Sequence, residues 1–387
     1  MLLKKAFIIL IISLLNCFVW ASESSAPQLS DKSYIVVYTC APGNMLYSQF
    51  GHSAIGVVDP ELDLNTVFNY GTFSFNTPNF YLKFCAGKLL YRLSTESFPH
   101  FISDYEEDGR SVIVQRLNLT LEQRQKLFDN LDENYKPENR YYQYDFFFDN
   151  CASRILDILY LSFGGAITYC DTSTSCQPTL RDCIHPYLQG SKWTQAGIDL
   201  ALGSITDHEA NKRQQAFLPD KLHDYLTGCM IDSLPLVTED REIVESSIEY
   251  DTTPWPIAPV TIFGFLLLLV ISTTIFCAKR NLILFDRIFF CFIGVLGLII
   301  SLLWFATDHG ATVWNFNVLW ASPLYLVYIF ILGKRPKKWH SCFVLVLIIS
   351  NALMLPAAFI QHFNICFYIL AAIAVLRLCA SYKRLIA

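Results

Sequence analysis

The sequence predicts an exported α+β domain followed by an all-α bundle of about five transmembrane helices. Three observations carry this. Two lysines precede an N-terminal apolar run, the middle of the chain holds short β-branched and aromatic runs punctuated by Pro, Gly and Asn/Asp, and the C-terminal third is almost continuously apolar. A hydrophobic fraction of 53% over 387 residues, with 30 Phe and 20 Tyr, is too apolar for one soluble globule.

Lys4 and Lys5 open an apolar run from Ala6 to Val19, which Val19-Trp20-Ala21 closes on a small residue. That is the layout of a secretory signal over residues 1–21, with cleavage expected after Ala21. Lipidation at Cys17 is the alternative, and Asn16 before it argues against that. Residues 22–231 read as the exported domain. Within it, 34–40, 52–58, 66–71, 88–93 and 111–117 read as strands of an antiparallel sheet. Thr120 and Gln123 form a capping box for a helix to about Asn134, and Asp149-Asn150 cap another from Cys151 to Leu161. Residues 232–256, acidic and with three prolines, read as a linker.

From residue 257 to 387 five apolar stretches are expected to span: 257–277, 284–304, 316–332, 342–360 and 364–380. If the soluble domain is exported, the first runs inward. The turns with Lys279, Arg280, Lys334, Arg335, Lys337 and Lys338, and the end with Lys383 and Arg384, then face the cytoplasm, while the outer loops hold no Lys or Arg. Charge bias and export agree on one topology. The outer loop from Thr307 to Asn317 is polar and lies on the side of the soluble domain, where it either caps helix ends or meets a substrate in the outer leaflet.

This last segment carries ten Lys/Arg against Asp286 and Asp308, a net +8; the whole is −5, so residues 1–256 carry −13. An acidic domain of this size excludes a phosphate-neutralising surface and therefore a nucleic-acid partner. Of thirteen cysteines, Cys277, Cys291, Cys342, Cys366 and Cys379 fall in apolar helices as small hydrophobes. Seven lie in the exported domain, so at least one is free, and Cys170 with Cys176 is the plausible bridge.

Two places hold possible chemistry. In FGHSAIGV, His52 opens a strand; in YDFFFDNCASRILDIL, Cys151 stands at the first turn of an amphipathic helix. A thiol there meets the positive end of the helix dipole, and an imidazole nearby completes a nucleophile pair. A buried structural cysteine or a disulfide half is the alternative for Cys151. No CxxC, HExxH or HxH spacing supports a metal in the exported domain, and no GxSxG elbow or phosphate loop is present. No cofactor is called for.

FGHSAIGVVDP, VFNYGTFSFNTPNFYLKFCAGKLLYRL, LNLT, PENRYYQYDFFFDNCASRILD and AFLPDKL, in that order, resemble the exported domain of the Lnb family, lipoprotein N-acyltransferases of Bacteroidota. The DHGATVWNFNVLW loop and its flanking helices are similar to that family's membrane part. The order of His before Cys is also similar to circularly permuted papain-like proteins, including lecithin:retinol acyltransferase and relatives of NlpC-type peptidases. The resemblance implies a permuted papain-like sheet with His52 as base and Cys151 as nucleophile. Asn69 of FNYG becomes the orienting group, with Tyr70 or Asn150 as alternatives. Arg110, inside the span the resemblance covers, and Arg140, within the PENRYYQ motif, would clamp a phosphate or close ion pairs, and Arg154 is read as structural. His309 and Asn315 of the outer loop join the candidate substrate contacts. The implied reaction moves an acyl chain from a phospholipid, through a Cys thioester, to the N-terminal amine of a diacylglyceryl-cysteine lipoprotein. The implied site is the inner membrane with the N-terminal domain in the periplasm. The same pair fits a membrane-anchored thiol hydrolase, a cell-wall peptidase or lipid deacylase. A non-enzymatic assembly or sensor protein is the third reading.

Overall fold

The computed structural model describes residues 26–169, 176–276, 282–334 and 337–386. The expected signal segment and Cys170 lie outside them. Strands are β1 (Tyr34–Cys40), β2 (His52–Asp59), β3 (Leu64–Thr72), β4 (Leu90–Ser97), β5 (Val112–Leu117), β6 (Tyr141–Gln143), β7 (Ile167–Tyr169), β8 (Cys229–Ile231), β9 (Leu234–Pro235) and β10 (Val237–Val244). Helices of the soluble part are α1 (Phe80–Cys85), α2 (Phe98–Glu107), α3 (Leu121–Tyr135), α4 (Cys151–Phe163), α5 (Leu180–Ile184), α6 (Lys192–Ala201), α7 (Lys212–Gln215) and α8 (Pro219–Thr227). Those of the membrane part are α9 (Pro259–Phe276), α10 (Ile283–Phe305), α11 (Tyr325–Tyr328), α12 (Lys338–Ala352), α13 (Met354–Ala357) and α14 (Ile365–Ile386).

The main sheet runs β10-β5-β1-β2-β3-β4-β6, antiparallel throughout. Ile35, Val37, Ile55, Val57 and Phe68 point to one face, against α3 and α4. Val36, Tyr38, Ala54 and Val67 point to the other, against Phe101 and Tyr105 of α2. Covering both faces explains why β1 and β2 read as near-continuous apolar runs rather than alternating ones. The capping boxes at Thr120/Gln123 and Asn150/Ser153 both form. The expected linker 232–256 is a different matter: Val237–Val244 is a strand that pairs along β5 from Val237↔Leu117 to Val244↔Val112. It is an edge strand with exposed Glu239, Asp240, Arg241 and Glu242, and charge on an edge is how sheets avoid further pairing. That charge is what imitates a linker in the sequence.

Among the described residues, four helices are long and apolar enough to cross a membrane, not five. The stretch 316–332 forms a short turn at Phe316–Leu319 and then α11, interrupted by Pro323. It still descends beside α10. A Cβ on Gly297 would lie 1.8 Å from Ala321 O, one on Gly294 2.9 Å from Leu326, and Arg287 Nη2 donates to Leu332 O at 3.1 Å. Near the inward ends, Arg377 of α14 holds Asp286 of α10 through Nε (2.6 Å) and Nη2 (2.9 Å), both fully buried, and reaches Thr274 of α9. A charge at that depth persists only when paired.

The outer loop fastens the soluble part to the bundle. Asn315 Nδ2 donates to Leu200 O (2.8 Å) and Ala201 O (3.0 Å), and Asn317 Nδ2 to Asp199 O (3.2 Å). These are the carbonyls that the C-terminus of α6 leaves without helical partners. Asp199 itself, 1% exposed, accepts from Arg181 Nη1 (3.2 Å), His185 Nε2 (3.0 Å) and Asn364 Nδ2 (2.8 Å).

Candidate active site

Cys151 is the first residue of α4 and Asn150 its N-cap: Asn150 Oδ1 accepts from Ser153 N at 2.9 Å while Ser153 Oγ accepts from Asn150 N at 2.8 Å. The Asn150 amide also donates to Phe146 O and Phe217 O, both at 2.8 Å. The cap is therefore bolted to two neighbouring segments, and the thiol's position is fixed with it. Opposite stands His52, first residue of β2 and partner of Cys40. Gly71, at φ +85°, passes so close that a Cβ there would sit 3.6 Å from the Cys151 Cβ.

Burial pushes the Cys151 thiol up, but the charge and hydrogen bond of His52, with the backbone N–H groups of Ser53 and Ala152, outweigh it and hold the thiol below its ordinary value. Burial likewise draws His52 down, and the Cys151 charge together with hydrogen bonds to Cys151 and Asn69 outweighs it and raises the imidazole. Both shifts run in the direction that favours a thiolate beside an imidazolium. Cys151 is 8% exposed and His52 half-buried, so the thiol is largely screened from water.

His52 Nε2 lies 2.6 Å from Asn69 Oδ1. Asn69 Nδ2 donates to Glu96 Oε1, and Glu96 Oε2 pairs with His100 Nδ1 at 2.8 Å. A carboxylate only accepts, so Glu96 takes the amide nitrogen of Asn69 and turns its oxygen to His52. Nε2 of His52 therefore carries the proton, and Nδ1 is left for the thiol. Sequence reasoning missed Glu96. Its signal is the polar alternation Ser94, Glu96 on β4, and only the β3–β4 pairing, Val67↔Glu96 and Asn69↔Ser94, shows that it shares a face with Asn69.

Of the alternatives to Asn69, Tyr70 points to the opposite face and donates to Asn134 Oδ1 at 2.6 Å, and Asn150 is spent on the helix cap. Arg110 is buried, donates to Ala41 O at 2.8 Å and lies over the Tyr105 ring at 4.7 Å. Arg140 sits over Tyr141 at 5.2 Å. Arg154 pairs with Asp149 through Nη2 at 2.6 Å and covers Tyr142 at 4.1 Å. The amide nitrogen of Asn315 is occupied at the domain junction, and His309 Nε2 lies 3.2 Å from Phe84 O and Cys85 O. The outer loop does reach the turn before the thiol: a Cβ on Gly310 would stand 3.2 Å from Asp145 Oδ2. Cys176 is a free thiol 3.3 Å from Glu209 Oε1, and its expected bridge partner Cys170 lies outside the described residues. Glu96, His100 and Asp104 place one ligand atom each within 4.8 Å of one another, although Glu96 and His100 already bond to each other. A cavity of about 460 Å³ between α6, α9 and α14 has none of His52, Asn69 and Cys151 in its lining.

The Lnb N-terminal periplasmic domain matches residues 26–181, and the Lnb transmembrane domain matches 251–386. No curated protein and no solved structure matches the chain. The first match holds the His52, Asn69 and Cys151 cluster and the second holds the four spans with the outer loop docked on α6. Matched in both parts and in this order, the chain belongs to the Lnb family, as a multi-pass inner-membrane protein whose N-terminal domain stands in the periplasm.

Proposed function

We propose that the protein is a lipoprotein N-acyltransferase working through a Cys151 thioester. The observation that carries this reading is a thiol lowered by an adjacent imidazole in a site 8% exposed, next to a loop of the membrane domain. In the first half-reaction the Cys151 thiolate attacks an ester carbonyl of a phospholipid. The N–H groups of Ser53 and Ala152 lie beside the sulfur and favour negative charge there. Collapse expels the lysophospholipid alkoxide, and the protonated His52 supplies its proton. In the second half, the free amine of a diacylglyceryl-cysteine attacks the thioester and His52 takes the amine proton. The amide forms and the thiolate returns. Asn69, set by Glu96, keeps the imidazole in the one tautomer that serves both steps. The low exposure of the thiol supports transfer over hydrolysis, because water is the competing acceptor.

The test is mass spectrometry of a reporter lipoprotein's N-terminal peptide from cells that lack their own N-acyltransferase. A third acyl chain with the wild-type protein, absent with Cys151→Ala and His52→Ala, is the expected result. A diacylated peptide with folded, membrane-inserted protein refutes the reading and moves a thiol hydrolase to the front.

A further inference from the structure

A short surface helix ordinarily turns polar residues to water, and α1 does the reverse. Tyr81, Leu82 and Phe84 are 76%, 73% and 50% exposed, and Phe75 in the loop before them is 66% exposed. Large apolar residues clustered in this way mark a surface that meets something other than water. Their position says what. The C-terminal end of α1 is tied to the segment just past α10: Asp308 N donates to Ala86 O at 2.9 Å, and His309 Nε2 lies 3.2 Å from Phe84 O and Cys85 O. Gly87, at φ +69°, permits that approach, since a Cβ there would lie 3.0 Å from the Asp308 carbonyl carbon. Where α10 ends, Trp304 stacks on Phe305 at 4.6 Å and lies 5.5 Å from Trp314, and Phe305 and Trp314 are 75% and 60% exposed. Aromatic residues gather in this way at a bilayer surface. α1 is therefore held at the level where a spanning helix leaves the lipid.

A second observation connects this patch to the thiol. Tyr144 flanks Gly71 on the side of Cys151: a Cβ on Gly71 would lie 3.9 Å from Tyr144 Cε2 and 3.6 Å from the Cys151 Cβ. From Tyr144 the rings follow one another to Tyr91 (4.3 Å), Phe73 (5.2 Å), Phe80 (5.8 Å) and Phe84 (6.2 Å). The row bears no charge from end to end.

We propose that residues 75–84 are seated in the outer leaflet and that this aromatic row leads the acyl chain of a membrane phospholipid from the leaflet to Cys151. The path to the thiol rests on the thioester reading above; the seating in lipid does not.

The test uses the full-length protein in vesicles of phosphatidylethanolamine and phosphatidylglycerol containing a phospholipid with a diazirine in its acyl chain. After irradiation, crosslinked peptides are mapped by mass spectrometry. Crosslinks on residues 75–84 as well as on the spanning helices are expected; crosslinks confined to α9, α10, α12 and α14 overturn the seating. The double variant Leu82→Asp with Phe84→Asp changes exposed side chains only, and its fold is checked by melting. It is expected to lose the α1 crosslinks and to acylate the reporter from vesicle donors at least about tenfold more slowly, as loss of remote substrate binding does. Alkylation of Cys151 by iodoacetamide stays unchanged. An unaltered acylation rate in that variant overturns the acyl path. Wild-type crosslinks on residues 75–84 in a protein that never acylates the reporter uphold the seating and refute the transferase reading, so the two failures are told apart.

Discussion

Cys151 and His52 illustrate how two neighbouring side chains offset the cost of burying charge. Burial opposes both ions, yet each stabilises the other, and the thiol ends below and the imidazole above its usual value. The rate of Cys151 alkylation as a function of pH should therefore rise earlier than for an ordinary thiol, and His52→Ala should move the rise to alkaline pH. Reporter acylation by His52→Ala should fall at least about a hundredfold, the usual worth of a positioned acid and base. Glu96 acts one bond further out, as a positioning residue. Glu96→Ala should lower kcat roughly tenfold with KM little changed, because a freed Asn69 amide holds the ring in the wrong orientation part of the time. Glu96→Gln, which still offers an oxygen, should recover most of the rate. His52 and Cys151 could be nominated from the strand and helix signals around them together with the family resemblance. Glu96 was not, because seventeen residues separate β3 from β4 and no local pattern gives their register.

At the scale of elements, the start of α4 and the turn of β3 carry the site. Asn150→Ala removes the cap and strands Phe146 O and Phe217 O; a loss of about 1 kcal/mol or more is expected, read from the denaturation midpoint. Gly71→Ala meets only ordinary contacts but forces an L side chain to φ +85°, at a cost of roughly 1 kcal/mol in the same measurement. The Thr120/Gln123 capping box, the cap at Asn150 and β1–β5 could be read from the sequence because each rests on residues within a few positions of one another. β10 and the broken third apolar stretch could not. An edge strand made of Glu239 to Glu242 carries a linker's composition, and hydropathy reports how apolar 316–332 is without saying that Pro323 and the docking of Asn315 and Asn317 prevent one continuous helix.

For the whole molecule the decisive joint is Asp199. Burial raises its carboxyl, but hydrogen bonds from His185 and Asn364 and the charges of His185 and Arg181 outweigh that and hold it below the ordinary carboxylate value. A carboxyl depressed in the folded state stabilises the docked arrangement fully above its unfolded value, and that stability is lost as pH falls through the depressed one. Acidification through the carboxylate range should thus raise hydrogen exchange of residues 308–317, and Asp199→Asn should produce the same exposure at neutral pH.

By itself the sequence determined the class, the topology across the membrane and the five central strands, each of which follows from local periodicity, charge bias or a run a few residues long. His52 and Cys151 it nominated as a pair, mainly through the resemblance to the family. Only the tertiary structure decided that Asn69 and not Tyr70 or Asn150 faces His52, that Glu96 stands behind it, and that Asn315 fastens α6. Those assignments depend on strand register and on contacts between segments 100 residues or more apart, as between Asn315 and Leu200, which pack by geometry that no single stretch of chain records.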